Sequence, residues 1–223
     1  MNTGFLTIEG TVLKRCAEKA TGKIVIPESV TEIGKHAFDG CSSLTKVVIP
    51  ESVTEIGEWA FHNCSSLTEI VIPEGVTKIG EWTFDRCSSL TEIIIPNSVT
   101  KIDNSAFDGC ESLTKVIIPE NVTGIPEGTF KGCTSLESIV VDSNNKVYDS
   151  RNNCNAIIKT ESNTLIAGCK NTIIPNSVTE IGLWAFRDRS SLTEIVIPKS
   201  VTKIGYWAFQ DCSSLTEIVI PES

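Results

Sequence analysis

A chain of 223 residues that is 40% hydrophobic and 21% charged is long enough for one or two globular domains, and is neither disordered nor membrane-embedded. Its longest apolar runs, such as Val47-Val48-Ile49, fall far short of the roughly 20 residues that span a bilayer. The net charge is −9, from 19 Lys plus Arg against 28 Asp plus Glu with no basic cluster, so nucleic acid and anionic lipid are poor partners.

In chain order, Met1–Phe5 shows no basic region followed by an apolar stretch, so no signal peptide is read there. The expectation is either an intracellular protein or one whose leader lies outside this numbering. Residues 1–26 carry turn signals between short apolar runs, which predicts an N-terminal capping coil with a hairpin. From there the sequence repeats: Pro27, Pro50, Pro73, Pro96 and Pro119 recur at one constant interval, and the same interval returns at Pro175, Pro198 and Pro221. Five regular units therefore cover 27–141. A longer, irregular unit covers 142–174, and two regular units plus the start of a third cover 175–223, all in one solenoid domain.

Counted from each proline, Val stands at +3 (Val30, Val53, Val76), Ile at +6 (Ile33, Ile56, Ile79), Phe at +11 (Phe38 through Phe209) and Leu at +17 (Leu44 through Leu215). One unit cannot bury these groups alone; stacked units turn each offset into a column of like side chains. Offsets +17 to +22, as in Leu67-Thr-Glu-Ile-Val-Ile72, alternate with period two and predict a strand with Leu67, Ile70 and Ile72 inward. Pro73, lacking an N–H, ends it. Ile-Gly closes a second short extended stretch, and Glu58-Trp59-Ala60-Phe61 suits a single helical turn. Gly40, Asn63, Gly109 and Gly132 at +13 want a positive φ, with Arg86 departing from the pattern. In the irregular unit Ala156-Ile-Ile-Lys resembles Thr11-Val-Leu-Lys, so it too is expected to hold a hairpin.

The unit I-P-x-x-V-T-x-I-G-x-x-A-F-x-x-C-x-S-L-T-x-I resembles the BspA-like leucine-rich repeats, also called the Treponema pallidum type, over the chain from about Phe5 onward. The resemblance implies a curved coil stack with one parallel sheet and short helical turns and loops opposite. It also implies bacterial, and some protist, surface proteins engaged in adhesion and protein binding, with no catalytic residue to transfer.

Six of the nine cysteines sit at +14 (Cys41, Cys64, Cys87, Cys110, Cys133, Cys212), with Arg189 in the seventh place. Coils about 4.8 Å apart hold in-register Cβ atoms too far apart for a disulfide, and single cysteines at this spacing make no zinc pair. Buried apolar filling is the expectation; a Cys154–Cys169 bridge is left open. His36 and His62 fall at different offsets without a consistent partner, and Ser-Ser-Leu lacks a nucleophile context, so no catalytic residue, metal ligand or cofactor is expected. Asp142, Asn144, Asn145 and Asp149 break the EF-hand order and read as turn formers. The exposed column Glu28, Glu51, Glu74 needs no metal in water.

Two columns point to contact instead. Offset +9 holds all four tryptophans, Trp59, Trp82, Trp184 and Trp207, against His36, Ser105 and Gly128 elsewhere. A core position does not exchange Trp for Gly, so the column is expected at or near the surface, where Trp anchors partners or lies flat over its neighbouring coil. Offset +21 places Val48, Val71, Ile94 and Ile117 outward on the sheet, a partner stripe or a consequence of β-propensity. The expected function is a non-enzymatic protein- or glycan-binding module of a bacterial cell-surface adhesin, secreted or surface-held. The alternative is a self-assembling solenoid, with a homodimer through the C-terminal coil at Leu215, Ile218, Val219 and Ile220.

Overall fold

The computed structural model describes residues 3–220. The chain winds as a β-solenoid with two ladders of strands along its length. Gly22–Val25, Leu44–Val48, Glu69–Val71, Glu92–Ile94, Lys115–Ile118 and Ser138–Val141 form a six-stranded parallel sheet, each of the regular strands paired with its counterpart one unit on. Glu194–Val196 and Glu217–Val219 pair in the same way. A second ladder is built from two-residue strands at +5 and +6, among them Glu32–Ile33, Glu55–Ile56, Lys78–Ile79 and Lys101–Ile102. Pro221, expected to open a further unit, lies outside the described residues.

The alternation of the first sheet turns Leu and Ile inward, and the Val, Ile, Phe, Leu and Cys columns fill the interior. The phenyl rings stack coil upon coil, with centroids 4.9 Å apart for Phe38–Phe61, 5.4 Å for Phe61–Phe84 and 5.4 Å for Phe107–Phe130. Threonines at +4 and +18 face water. Several of them, Thr68 and Thr91 among them, donate Oγ1–H to the carbonyl one coil back, adding a side-chain rung to the backbone ladder.

No helical turn follows the Ile-Gly step. The residue at +9 takes the left-handed conformation instead, with φ of 59° at His36, 60° at Trp59, 51° at Trp82, 53° at Ser105 and 57° at Trp184. Such a φ costs an L-residue about 1–2 kcal/mol, but backbone bonds on both sides hold it. Trp59 N–H donates to Glu81 O of the next coil, and Trp59 O accepts from His62 N–H. The column at offset +13 is left-handed too, Arg86 included at φ 57°.

The two departures from the regular unit share one construction. Leu6–Glu9 and Val12–Cys16 form an antiparallel hairpin, as do Ala156–Lys159 and Thr164–Gly168. Val12-Leu13 then pairs with Glu32-Ile33, and Thr164-Leu165 with Glu180-Ile181. The structural counterpart of Val12-Leu13 is thus Thr164-Leu165, not the Ile-Ile of the other strand, because the second strand of each hairpin joins the following coil. The internal hairpin also divides the core. Ile157, Ile166 and Ala167 pack with the N-terminal coils, while Ala156, Ile158 and Leu165 pack with the C-terminal ones.

All nine cysteines are free thiols, and Cys154 and Cys169 are not bridged to each other. In the +14 column every thiol after Cys41 donates to the Phe carbonyl of the preceding coil, as Cys64 Sγ to Phe38 O at 3.1 Å and Cys110 Sγ to Phe84 O at 3.2 Å. Cys41, which has no such coil before it, faces the Cys16 and Ala17 carbonyls. Burial pushes the Cys133 thiol up to about 12 and raises Cys87 and Cys110 well above the ordinary range. Because the thiolate is the nucleophile, an alkylating reagent at pH 8 should leave Cys64, Cys87, Cys110 and Cys133 unmodified in the folded chain and label them fully in denaturant. Peptide mapping by mass spectrometry checks this, and rapid native labelling at Cys110 would refute it.

Candidate binding surface

The sheet face presents its +21 column to water. Val71 is 60% exposed, Ile94 58% and Val196 64%, and Ile117, Val140 and Ile173 continue the line. Val48 is half-buried. The +19 column beside it carries Lys46, Glu69, Glu92 and Lys115 in register, with Lys46 ion-paired to Glu69. Apolar stripe and charged rim thus alternate across one face, as the pleat requires.

The +9 column behaves differently at its two ends. His36, Trp59 and Trp82 form a ladder of stacked rings, with Trp59 and Trp82 centroids 4.5 Å apart, and both tryptophans are half-buried. Ser105 and Gly128 are not at the surface in the same way: both are buried, so an exposed column fails for these two members. Trp184 explains Gly128: a Cβ there would stand 2.6 Å from Trp184 Cε3. Lys131 Nζ lies 5.3 Å from the centroid of the Trp184 ring, and Trp184 Nε1 is buried without a partner. Trp207 stacks on Trp184 at 5.9 Å and is 59% exposed. Leu215 is half-buried and Ile218, Val219 and Ile220 are exposed, with Glu217–Val219 paired only on the side of Glu194–Val196 among the described residues.

Beside the ring ladder runs a column that residue types alone do not reveal. Offset +12 holds Asp39, His62, Asp85, Asp108 and Lys131. The two histidines do share a partner: His36 Nδ1 lies 3.0 Å from Asp39 Oδ2, and His62 Nδ1 lies 2.7 Å from Asp39 Oδ1. His62 Nε2 stands 3.3 Å from Asp85 Oδ2, and Lys131 Nζ 2.9 Å from Asp108 Oδ2. A groove of about 710 Å³ opens along coils two to four, with Trp59 and Trp82 on one side, Ser65, Ser88 and Glu111 on the other, and Asp85 and Asp108 between. Burial, together with Asp108 one coil on, pushes the Asp85 carboxyl up to about 6. On the second ladder Asp103 takes the glycine position at +7 and ion-pairs with both Lys78 (2.6 Å) and Lys101 (2.8 Å). Among the described residues no group of three or more His, Cys, Asp or Glu could hold a metal ion.

A raised carboxyl pKa makes the folded state bind a proton that the unfolded chain has already released. The cost of Asp85 is therefore absent below about pH 4, grows as pH rises to about 6, and is complete above it. Asp85→Asn should stabilise the fold by roughly 1–2 kcal/mol at pH 7 and by almost nothing at pH 4. Urea denaturation at both values checks this; an equal effect at both would refute it.

A stack of Leu- and Ile-lined coils with a parallel sheet along one face is a leucine-rich-repeat solenoid. The chain belongs to the BspA-type leucine-rich repeat family, whose repeat region matches residues 8–137, 60–164 and 158–223 in 6 copies. Among solved structures it is similar to a leucine-rich cell surface protein from Faecalibacterium prausnitzii, at 25% identity and a TM-score of 0.65 over 96% of this chain and 76% of that one. The T. pallidum leucine-rich repeat protein is 26% identical with a TM-score of 0.65, covering 96% of this chain and 90% of that one. The pneumococcal vaccine antigen PcpA is 25% identical with a TM-score of 0.76, over 89% of this chain and 50% of the antigen. No curated protein matches the chain. Among the described residues no helix is long and apolar enough to cross a membrane.

Proposed function

We propose that this chain is a non-enzymatic binding module of a bacterial cell-surface adhesin, holding a protein or glycan by surface contact. The observation that carries the reading is the apolar stripe Val71, Ile94 and Ile117, continued by the half-buried Val48, whose exposed members stand toward water where the fold needs no apolar group. The stacked tryptophans at Trp59 and Trp82 and at Trp184 and Trp207 add aromatic area of the kind that dominates interfaces. Similarity to a described cell surface protein supports the location. Because the stripe faces away from the core, Val71→Lys with Ile94→Lys should leave the melting temperature within a few degrees. Capture of partners from arrays of host surface proteins and glycans should fall at least tenfold. Unchanged capture by the folded variant would sink the reading for this face.

A self-associating solenoid is the second reading, favoured by the exposed Ile218, Val219 and Ile220 beside the half-buried Leu215. Sedimentation of the chain against Val219→Lys with Ile220→Lys separates the two: a dimer abolished by the charges supports it, and a monomer at high concentration rejects it.

A further inference from the structure

The groove beside Trp82 has an unmatched charge. Down the +12 column an acid and a base alternate from Asp39 to His62 to Asp85, and Lys131 answers Asp108; Asp85 and Asp108 are the adjacent acids with no base between them. The Asp85 side chain is only 10% exposed, and among the described residues no donor hydrogen-bonds to its carboxylate. Its one ion-pair neighbour, His62, donates Nδ1–H to Asp39, so only the doubly protonated ring could also donate toward Asp85. A buried carboxylate that lacks donors costs the fold free energy, and Asp85 lines an open groove rather than a closed core.

The chain already shows how a cation is held on this surface. Lys131 lies over the Trp184 ring at 5.3 Å while pairing with Asp108 at 2.9 Å, so one ammonium takes an aromatic face and a carboxylate together. Trp82, Asp85 and Asp108 bring the same two elements to the groove, which Arg86 also lines; Asp108 has Lys131 as its partner, and Asp85 has only His62. The nearby Arg86 is exposed at offset +13, and among the described residues it forms no ion pair. A guanidinium suits this setting better than an ammonium. It is planar, stacks on indole, forks toward carboxylate oxygens and sheds water more readily.

We propose that this groove receives an arginine side chain of a partner polypeptide, its guanidinium against the Trp82 ring at the end of the ladder and its N–H groups on Asp85, with Asp108, already paired to Lys131, adding negative charge beside it. The inference rests on the binding-module reading and names what one part of the surface takes. Glu111 at the groove's far side adds attraction for a basic segment, which agrees with the chain's net charge of −9.

The test uses the whole chain and three short Gly-Ser peptides carrying one central arginine, lysine or citrulline. Citrulline keeps the shape of arginine and removes its charge. Indole N–H resonances in a proton–nitrogen correlation spectrum report each tryptophan separately. The arginine peptide should shift Trp59 and Trp82 in a saturable way and leave Trp184 and Trp207 in place, with lysine weaker and citrulline at least tenfold weaker. Asp85→Asn should bind the arginine peptide at least tenfold less tightly while melting at a higher temperature, which separates lost recognition from lost folding. Equal shifts with arginine and citrulline, binding unaffected by Asp85→Asn, or Trp59 and Trp82 responding instead to a neutral oligosaccharide such as a cello- or chito-oligomer would each overturn the proposal. Retained partner capture through the sheet face, in a chain indifferent to all three peptides, would overturn this inference and leave the binding-module reading standing.

Discussion

Arg189→Cys is expected to destabilise the chain by roughly 2–4 kcal/mol, although it restores the residue found at this offset in the other regular units. In those units after the first a thiol reaches the Phe carbonyl of the coil before it, as Cys133 reaches Phe107 O at 3.2 Å and Cys212 reaches Phe186 O at 3.0 Å. At position 189 the preceding Phe carbonyl belongs to Phe130, 59 residues back, because the irregular unit intervenes. The guanidinium spans that seam. Nη2 donates to Phe130 O at 2.9 Å, Nε to Gly168 O at 2.9 Å and Nη1 to Arg187 O at 3.1 Å. The residue is 1% exposed and, among the described residues, forms no ion pair with a carboxylate. Burial disfavours the charge and lowers its pKa, so the three carbonyl dipoles must offset that cost. Replacing a long donor with a short thiol leaves buried carbonyls short of hydrogen bonds and opens a cavity. Urea denaturation reads the loss, and Arg189→Lys, which offers one charge but no fork, should fall between parent and Cys. If Arg189→Cys were as stable as the parent, the seam carbonyls would have found other donors and the argument would fail.

That case marks how far the residue columns are legible. Identical side chains at a fixed offset announce themselves, so the Val, Ile, Phe, Leu and Cys columns and the solenoid they build can be read from the spacing. Arg189 stands out as a departure, but its reason lies in contacts with Gly168 and Phe130, which no fixed offset connects. The +9 column misleads in a different way. Its tolerance of Trp, His, Ser and Gly reads as surface exposure, yet the common factor is a left-handed backbone, and Ser105 sits there buried. The +12 column escapes notice because Asp39, His62, Asp85 and Lys131 look unrelated as residue types. The sign of charge down each offset, rather than residue identity, exposes it and with it the partner shared by the two histidines.

Gly168→Ala should be the most damaging single methyl in the C-terminal half, costing about 3 kcal/mol or more. A Cβ at Gly168 would lie 2.1 Å from Phe186 Cε1 and 2.4 Å from Cζ, well inside contact distance. Neither side can yield easily. The Gly168 N–H donates to Ala185 O at 2.8 Å while its carbonyl takes the Arg189 Nε, so the strand is pinned from both ends of one residue. Phe186 is fully buried and stacks on Phe209 with centroids 5.1 Å apart, so its ring has no free volume to enter. Because the hairpin separates two packed cores, the damage should stay local. Amides from 175 to 220 should lose hydrogen-exchange protection while those of Glu69–Val71 and Lys115–Ile118 keep theirs. Phe186→Leu shortens the ring that the methyl would strike. The double variant should therefore be more stable than the sum of the two single losses, by roughly 1–2 kcal/mol. Strictly additive losses would place the harm of the methyl somewhere other than the Phe186 ring, and an unperturbed Gly168→Ala would mean that the strand and the ring do not approach as closely as this packing requires.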